Sequence, residues 1–283
     1  MRGVAIVAGF ALRESLRRRV FVVVALLTVA FLALYGLGTW QVSQEVDEVG
    51  GVGGVEGPVV TGATLLGLSM FATLFLGAIL AVFLTLNAVR GDAERGLLQP
   101  MLVRPLPRAS VLLGRFVAAA GVCVVYVIVV FVSCAVLTNV FVEWWPDRLV
   151  VPALELATGV AVIAALALGG SVVLSSTANG IAVFMLFGAG LTAGLLGQIA
   201  EALSSDTLER VSTIASWVLP FEALYQTALQ AITADTFGFT RFAIDLGPFG
   251  GAQSFGALLA PYTVAYVAAL GAAALWAFRR RDL

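Results

Sequence analysis

Val20-Phe-Val-Val-Val-Ala-Leu-Leu-Thr-Val-Ala-Phe-Leu-Ala-Leu-Tyr-Gly-Leu-Gly-Thr-Trp40 carries no charge. Its Val, Leu and Phe residues each favour bilayer insertion by roughly 0.4 kcal/mol, about 5 kcal/mol together. The run is long enough for ~30 Å of hydrocarbon, and it shows neither alternation nor a 3.6-residue stripe. It predicts a transmembrane helix. Arg17, Arg18 and Arg19 precede it as they would in a secretory leader. The apolar run, however, outlasts a leader's core and ends without a small-residue cleavage pattern, so an uncleaved span is expected.

Working outward, the same texture recurs at about Thr61–Val89, Ser110–Val140, Val151–Leu174, Ile181–Ala200 and Ala257–Phe278. The expectation is an all-α polytopic membrane protein with six spans in one domain, 1–283. Composition agrees: 60% of the 283 residues are hydrophobic and 12% charged, with a mean hydropathy of +1.02. A soluble domain holds nearer half and a quarter. Val4–Leu16, before the first span, is apolar and then basic, which fits an interfacial helix.

The missing residue types exclude chemistry. All the cations are arginine, because the sequence has no lysine, and it has no histidine. A phosphate-binding loop lysine, a Schiff base, a Ser-His or Cys-His pair and a His-ligated metal are therefore ruled out. The chain is not expected to hydrolyse ATP itself. Cys123 and Cys134 lie eleven residues apart in one apolar run, roughly 16 Å along a helix, too far to pair with each other. They read as inert packing residues.

The arginines set the orientation, since Lys/Arg in short loops stay on the cytoplasmic side. With both termini inside, thirteen of the sixteen arginines are cytoplasmic, and Arg148, Arg210 and Arg241 are outside. Trp40, Trp144, Trp145 and Trp217 then fall at outer boundaries and Trp276 at an inner one, as indoles prefer. The long outer segment, about 201–256, places Trp217, Phe221, Leu224, Ala228 and Ala231 at helical spacing. It predicts an external or re-entrant amphipathic helix before the last span, and Pro220 and Glu222 argue against a seventh span.

Polar groups inside the predicted spans are few. Glu155, in the first turn of the fourth span after Pro152, is either a cation or proton site on a substrate path or an interfacial carboxylate favoured by a helix N-terminus. Glu222 has the same two readings. The run Gly188-Ala-Gly-Leu-Thr-Ala-Gly-Leu-Leu-Gly197 contains one G-x-x-x-G, Gly190 to Gly194, which permits close helix approach within one subunit or between two.

The inner loop reads Arg90-Gly-Asp-Ala-Glu-Arg-Gly-Leu-Leu-Gln-Pro-Met-Leu-Val-Arg-Pro-Leu-Pro-Arg108. Charges cluster first, and Leu97, Leu98, Met101 and Leu102 then line one side of a short helix that Pro105 and Pro107 end. The loop is either a topological anchor or a knob whose apolar face docks in a partner's groove while its arginines meet carboxylates.

Glu94-Arg-Gly-Leu-Leu98, Arg104-Pro-Leu-Pro-Arg108 and Leu112-Leu-Gly-Arg115 resemble the first inner loop of ABC type-2 export permeases, E-x-G-[TL]-x-x-x-L…P-x-x-R…hhhG-[KR]. The ends Arg13-Glu-Ser-Leu-Arg-Arg-Arg19 and Phe278-Arg-Arg-Arg-Asp-Leu283 are also similar to that family, so the resemblance covers essentially the whole chain. Leu97 stands where the family often has Thr, and Pro100 interrupts the run. The resemblance implies a non-catalytic permease subunit of the cell membrane that forms a dimer, expectedly a homodimer. It would bind two copies of a separate ATPase that holds ATP and Mg, and export substrate by alternating access.

The resemblance also carries a coupling role to Glu94, Arg95, Gly96, Leu97, Leu98, Arg104 and Arg108, in a cytosolic coupling helix. The layout is similar to permeases that accompany copper-enzyme maturation and to drug or lipid exporters. No cofactor, metal or nucleic acid is expected on this chain. The alternative class is a channel or secondary transporter, which would show charged mid-membrane segments or inverted repeats. A membrane scaffold and an intramembrane enzyme are weaker alternatives, the latter lacking paired carboxylates or an activated nucleophile at membrane depth.

Overall fold

The computed structural model describes residues 2–16, 19–46, 57–86, 107–233 and 255–280. Among them the chain forms helices and short connections, with no strand. The order is α1 (Arg2–Leu16), α2 (Arg19–Val46), α3 (Gly57–Thr85), α4 (Arg108–Val142), α5 (Val150–Val173), α6 (Ser176–Leu203), α7 (Asp206–Val218), α8 (Pro220–Thr233) and α9 (Leu259–Arg279). Six of these, α2 to α6 and α9, are long and apolar enough to cross a bilayer. In lipid the backbone must satisfy its own polar groups, and a helix does so within one segment.

Two helices form the centre. Two-thirds of the apolar window of α3 and of α5 is buried, against 6% for α2 and 17% for α9. Leu66, Met70 and Leu74 of α3, Phe131 of α4, and Leu156 and Ile163 of α5 make the core. Gly77 lets α3, α4 and α5 meet, because a Cβ there would lie 2.7 Å from Val127 Cγ2 and 2.8 Å from Val160 Cγ2. The outward side chains of α2, among them Val22, Leu26, Val29 and Leu34, are exposed, as a lipid-facing helix requires.

Peripheral α2 is tied to α4 by side-chain hydrogen bonds. Thr28 and Tyr126 hydroxyls lie 2.6 Å apart, as do those of Tyr35 and Thr138. Helix α1 rests on the start of α4, where Gly114 admits Val7: a Cβ at Gly114 would be 2.7 Å from Val7 Cβ and 3.0 Å from the Val4 carbonyl. Ile6 and Phe10 stay exposed. Helices α5 and α6 turn sharply at Leu174 and Ser175. Asn179 Nδ2 on α6 then donates to the Ala167 carbonyl on α5 at 2.8 Å.

The bundle thus has two ends. One carries Trp144, packed over Gly62 of α3; the other carries Arg108, where α4 begins, and Arg279, where α9 closes. Cys123 and Cys134 are free and buried in the core.

Candidate functional site

From the end of α6 to the end of α8 the chain enters the bundle without crossing it. Helix α6 ends at Ser204 with φ 49°, and α7 runs back along α6, where Ser212 Oγ donates to the Ala193 carbonyl at 2.8 Å. The sidedness of α7 is the reverse of a soluble helix: Ser212 and Ser216 are buried while Val211, Ile214 and Val218 are exposed. Lipid outside and a close helix contact inside select that pattern. Asp206 and Glu209 occupy its first turn, where the helix dipole favours anions.

At Leu219 the helix breaks (φ −119°, ψ 72°), and Pro220 opens α8, a position where its missing N–H costs nothing. The sequence suggested one helix through Trp217, Phe221 and Leu224. There are two, and they form a re-entrant hairpin. Its tip lies about halfway down the bundle. The Phe221 carbonyl packs 3.5 Å from where a Cβ on Gly159 would sit, ten residues into α5, and the Phe221 ring covers Gly190, fifteen residues into α6. Leu229, two turns on, packs on Gly67 nearer the Trp144 end of α3. The 13 residues of α7 span about 20 Å at 1.5 Å each.

Helix α8 is buried on nearly every side, including its polar residues Glu222 and Gln226, which are 0% and 2% exposed. Gln226 Nε2 donates to Glu222 Oε1 at 3.2 Å. Among the described residues, Glu222 Oε2 and Gln226 Oε1 have no hydrogen-bond partner. A carboxylate at such depth costs about 3 kcal/mol or more unless polar groups surround it. Among the described residues, Gln226 is the side chain that hydrogen-bonds it.

The pair lies on glycine. Glu222 Oε1 occupies the space a Cβ on Gly194 would take, with Gln226 Nε2 3.0 Å away, and a Cβ on Gly190 would lie 2.6 Å from Phe221 Cζ. The G-x-x-x-G of α6 therefore packs within the subunit, receiving the first turns of α8. Phe221 stacks on Phe187 at 5.7 Å and 13°, and Phe187 meets Phe75 of α3 at 5.9 Å. The hairpin is anchored to the last span as well, since Tyr262 hydroxyl donates to the Trp217 carbonyl at 2.7 Å and the two rings meet edge-on at 4.8 Å.

Glu155 lies one turn from Gly159 toward the Trp144 end of α5, and its Oε2 is buried with no partner among the described residues. The sequence placed it in the first turn of its helix. The helix begins at Val150 with no acidic residue in the first turn, which removes the N-terminal dipole as its reason for being there. Glu155 and Glu222 thus border the same α5–α8 contact at different heights.

Of the coupling residues, Glu94, Arg95, Gly96, Leu97, Leu98 and Arg104 lie outside the described residues, and Arg108 is the first residue of α4. Gln226 was not singled out from the sequence. Its signal was the i, i+4 spacing from Glu222, which puts both on one face, opposite two glycines with the same spacing. Among the described residues no group of His, Cys, Asp or Glu is placed to hold a metal.

Over residues 5–283 the chain matches the family model described as ABC-2 family transporter protein. No curated protein matches it.

Proposed function

The chain belongs to the ABC-2 transporter family, and on that premise we propose that it couples ATP hydrolysis on a separate ATPase chain to export of substrate. The family makes it a multi-pass membrane permease subunit that associates with an ABC ATPase. The observation that carries the finer reading is a family match over nearly the whole chain, together with the loop Arg90–Arg108. That loop's clustered charges and apolar Leu97 and Leu98 suit docking into a partner's groove. In this reading two permease copies meet two ATPase copies that hold ATP and Mg²⁺, and both termini and the loop face the cytoplasm of the cell membrane.

Closure of the ATPase pair pushes on Glu94, Arg95, Gly96, Leu97 and Leu98, with Arg104 and Arg108 pairing to the partner's carboxylates. Rigid α3 and α4, which flank the loop, carry the displacement to the far end. There the hairpin stands in the bundle at half height, and Glu222, Gln226 and Glu155 line the substrate path. This chain performs no bond chemistry in the cycle.

The test is to purify the tagged chain from its native membrane in mild detergent, identify what accompanies it and assay ATPase turnover. A stoichiometric ATPase with vanadate-sensitive turnover is expected. Glu94→Ala and Leu98→Ala should leave the chain inserted and lower the turnover. An ATPase-free oligomer, or turnover unchanged in both variants, would overturn the coupling reading.

A further inference from the structure

At the tip of the hairpin, two neighbouring side chains each keep one polar atom unpaired, and the two atoms are complementary. Glu222 and Gln226, one turn apart on α8, are both buried. Gln226 Nε2 donates to Glu222 Oε1 at 3.2 Å, while the second oxygen of the one, Oε2, and the amide oxygen of the other, Oε1, have no partner among the described residues. An ionised carboxylate and an amide oxygen only accept. As a carboxylate, Glu222 can take one hydrogen bond from this amide and must leave both remaining oxygens empty. A carboxylic acid also carries an O–H. Acid and amide then close a ring of two hydrogen bonds, N–H to one oxygen and O–H to the other. The first of these is the bond present, and one proton on Glu222 Oε2 supplies the second and satisfies both orphaned atoms.

Among the described residues no other donor stands in for that proton. The helices packed against α8 are α3, α5, α6, α7 and α9. Helix α3 has no titratable residue, and α5 offers only the acid Glu155. Helix α6 carries Glu201 near its end, roughly 10 Å along the axis from Gly194. Asp206, Glu209 and the exposed Arg210 of α7 lie in its first two turns, and Arg210 is about 14 Å of helix away from the tip at Leu219. On α9, Tyr262 is spent on the Trp217 carbonyl, Tyr266 lies one turn further along, and Arg279 closes the opposite end. The remaining titratable neighbour is buried Tyr225 on α8 itself, and none of these groups donates to Glu222 Oε2. A bulkier donor has no room, because Glu222 Oε1 already fills the place of a Cβ on Gly194 and Phe221 that of one on Gly190. A proton needs no volume.

We propose that Glu222 is a proton-binding site: the seated hairpin holds it as the carboxylic acid, with Oε2–H donated to Gln226 Oε1, and this proton lets α8 lie buried against the glycines of α6. When the hairpin leaves its seat and Glu222 meets water, the O–H bond breaks, the proton passes to water and the carboxylate remains, because a hydrated glutamate ionises near about pH 4.3. Seating therefore takes up one proton. The ratio of seated to unseated chains is highest at low pH and falls about tenfold for each unit of pH above that value, until the seated acid itself ionises. The proton does not depend on the coupling cycle. Where the pair lines the substrate path, as proposed above, the seated path presents no charge at Glu222.

The full chain in lipid nanodiscs is compared with Glu222→Gln, which builds the same ring from two amides, an N–H replacing the O–H. Infrared difference spectra should show a protonated-carboxyl C=O band in wild type that shifts in heavy water and is missing from the variant. Gln226→Leu removes the amide and should move that band to higher frequency, as a carboxyl group that loses a hydrogen bond does. Hydrogen exchange of 220–233 is then followed across a pH series. Dividing the wild-type rate by that of Glu222→Gln at each pH cancels the chemistry of exchange and leaves the opening equilibrium. That quotient should rise about tenfold per pH unit, with the same slope in a Glu155→Gln background. A missing carboxyl band, as an ion pair to Glu222 would give, overturns the proposal. So does a band that Gln226→Leu leaves unmoved, or a quotient flat in pH. None of these measurements involves an ATPase or a substrate, so their failure is separate from failure of the export reading.

Discussion

Gly190→Ala should loosen the re-entrant hairpin, and the structure supplies both the size of the effect and its control. The added Cβ would lie 2.6 Å from Phe221 Cζ and 2.8 Å from Cε2, about 1 Å inside carbon–carbon contact distance. The ring cannot swing aside, because it is 1% exposed and stacked on Phe187. Overpacking of this kind costs about 1–3 kcal/mol, while alanine in place of glycine returns ~1 kcal/mol of helix propensity. Gly188, two residues away on the same helix, has nothing within 4 Å of its would-be Cβ and gains the propensity alone. The propensity cancels between the two variants, so Gly190→Ala should be about 1–3 kcal/mol less stable than Gly188→Ala. At ~2–4 °C per kcal/mol for a large chain, the gap in Tm is roughly 2–12 °C. Thermal unfolding in mild detergent, followed by the reaction of the buried Cys123 and Cys134 thiols, measures it. Adding Phe221→Leu to Gly190→Ala vacates the contested space, and the double variant should cost less than the two singles together by more than ~0.5 kcal/mol. If Gly190→Ala melts at or above Gly188→Ala, the docking described here is refuted.

Tyr35→Phe removes the hydroxyl shared with Thr138 and should cost about 0.6 kcal/mol, at most ~1.7. A double-mutant cycle with Thr138→Val should return that value as coupling, and zero coupling would detach α2 from α4. Gly170→Ala should cost about 1–3 kcal/mol, because Asn179 Oδ1 occupies the place of its Cβ, whereas Gly169→Ala meets only Ala274 Cβ at 3.9 Å and should be neutral or stabilising; equal melting of the two variants would show that Asn179 can move away. Glu222→Gln preserves shape and packing, so export should fall tenfold or more while hairpin docking and ATPase association persist. Unchanged export in that variant and in Glu155→Gln would take both carboxylates off the substrate path.

The six spans were legible because lipid imposes one rule on every exposed position, and that rule leaves a long unbroken mark in the sequence. The re-entrant segment was legible only as a departure from it. Pro220 and Glu222 signalled that 201–256 is no seventh span, and Pro220 disfavours helix at Leu219 locally, but the depth at which Phe221 seats on α6 is a contact between residues thirty-one positions apart. Gly190 and Gly194 stood among 30 glycines, and nothing local separated a packing pair from coincidence. What distinguishes them is Phe221 and Glu222, whose partners are fixed only once α6 and α8 lie side by side. Glu155 was assigned to the first turn of a span read from Val151; the helix begins one residue earlier, at Val150, and its first turn holds no acidic residue.

The reversed sidedness of α7 has a consequence for how the protein is made. A 13-residue helix with serines on its packed face and two acids in its first turn is too short and too polar to partition into a bilayer by itself. It can enter only where α6 already offers the Ala193 carbonyl to Ser212, and α8 only where α3, α5 and α6 have closed around a cleft able to accept Glu222 and Gln226. Insertion of the spans and seating of the hairpin are therefore separate events in biogenesis, the second waiting on the first. Defects in α3, α5 or α6 packing should then yield chains that are threaded through the membrane yet keep 206–233 open to protease on one face.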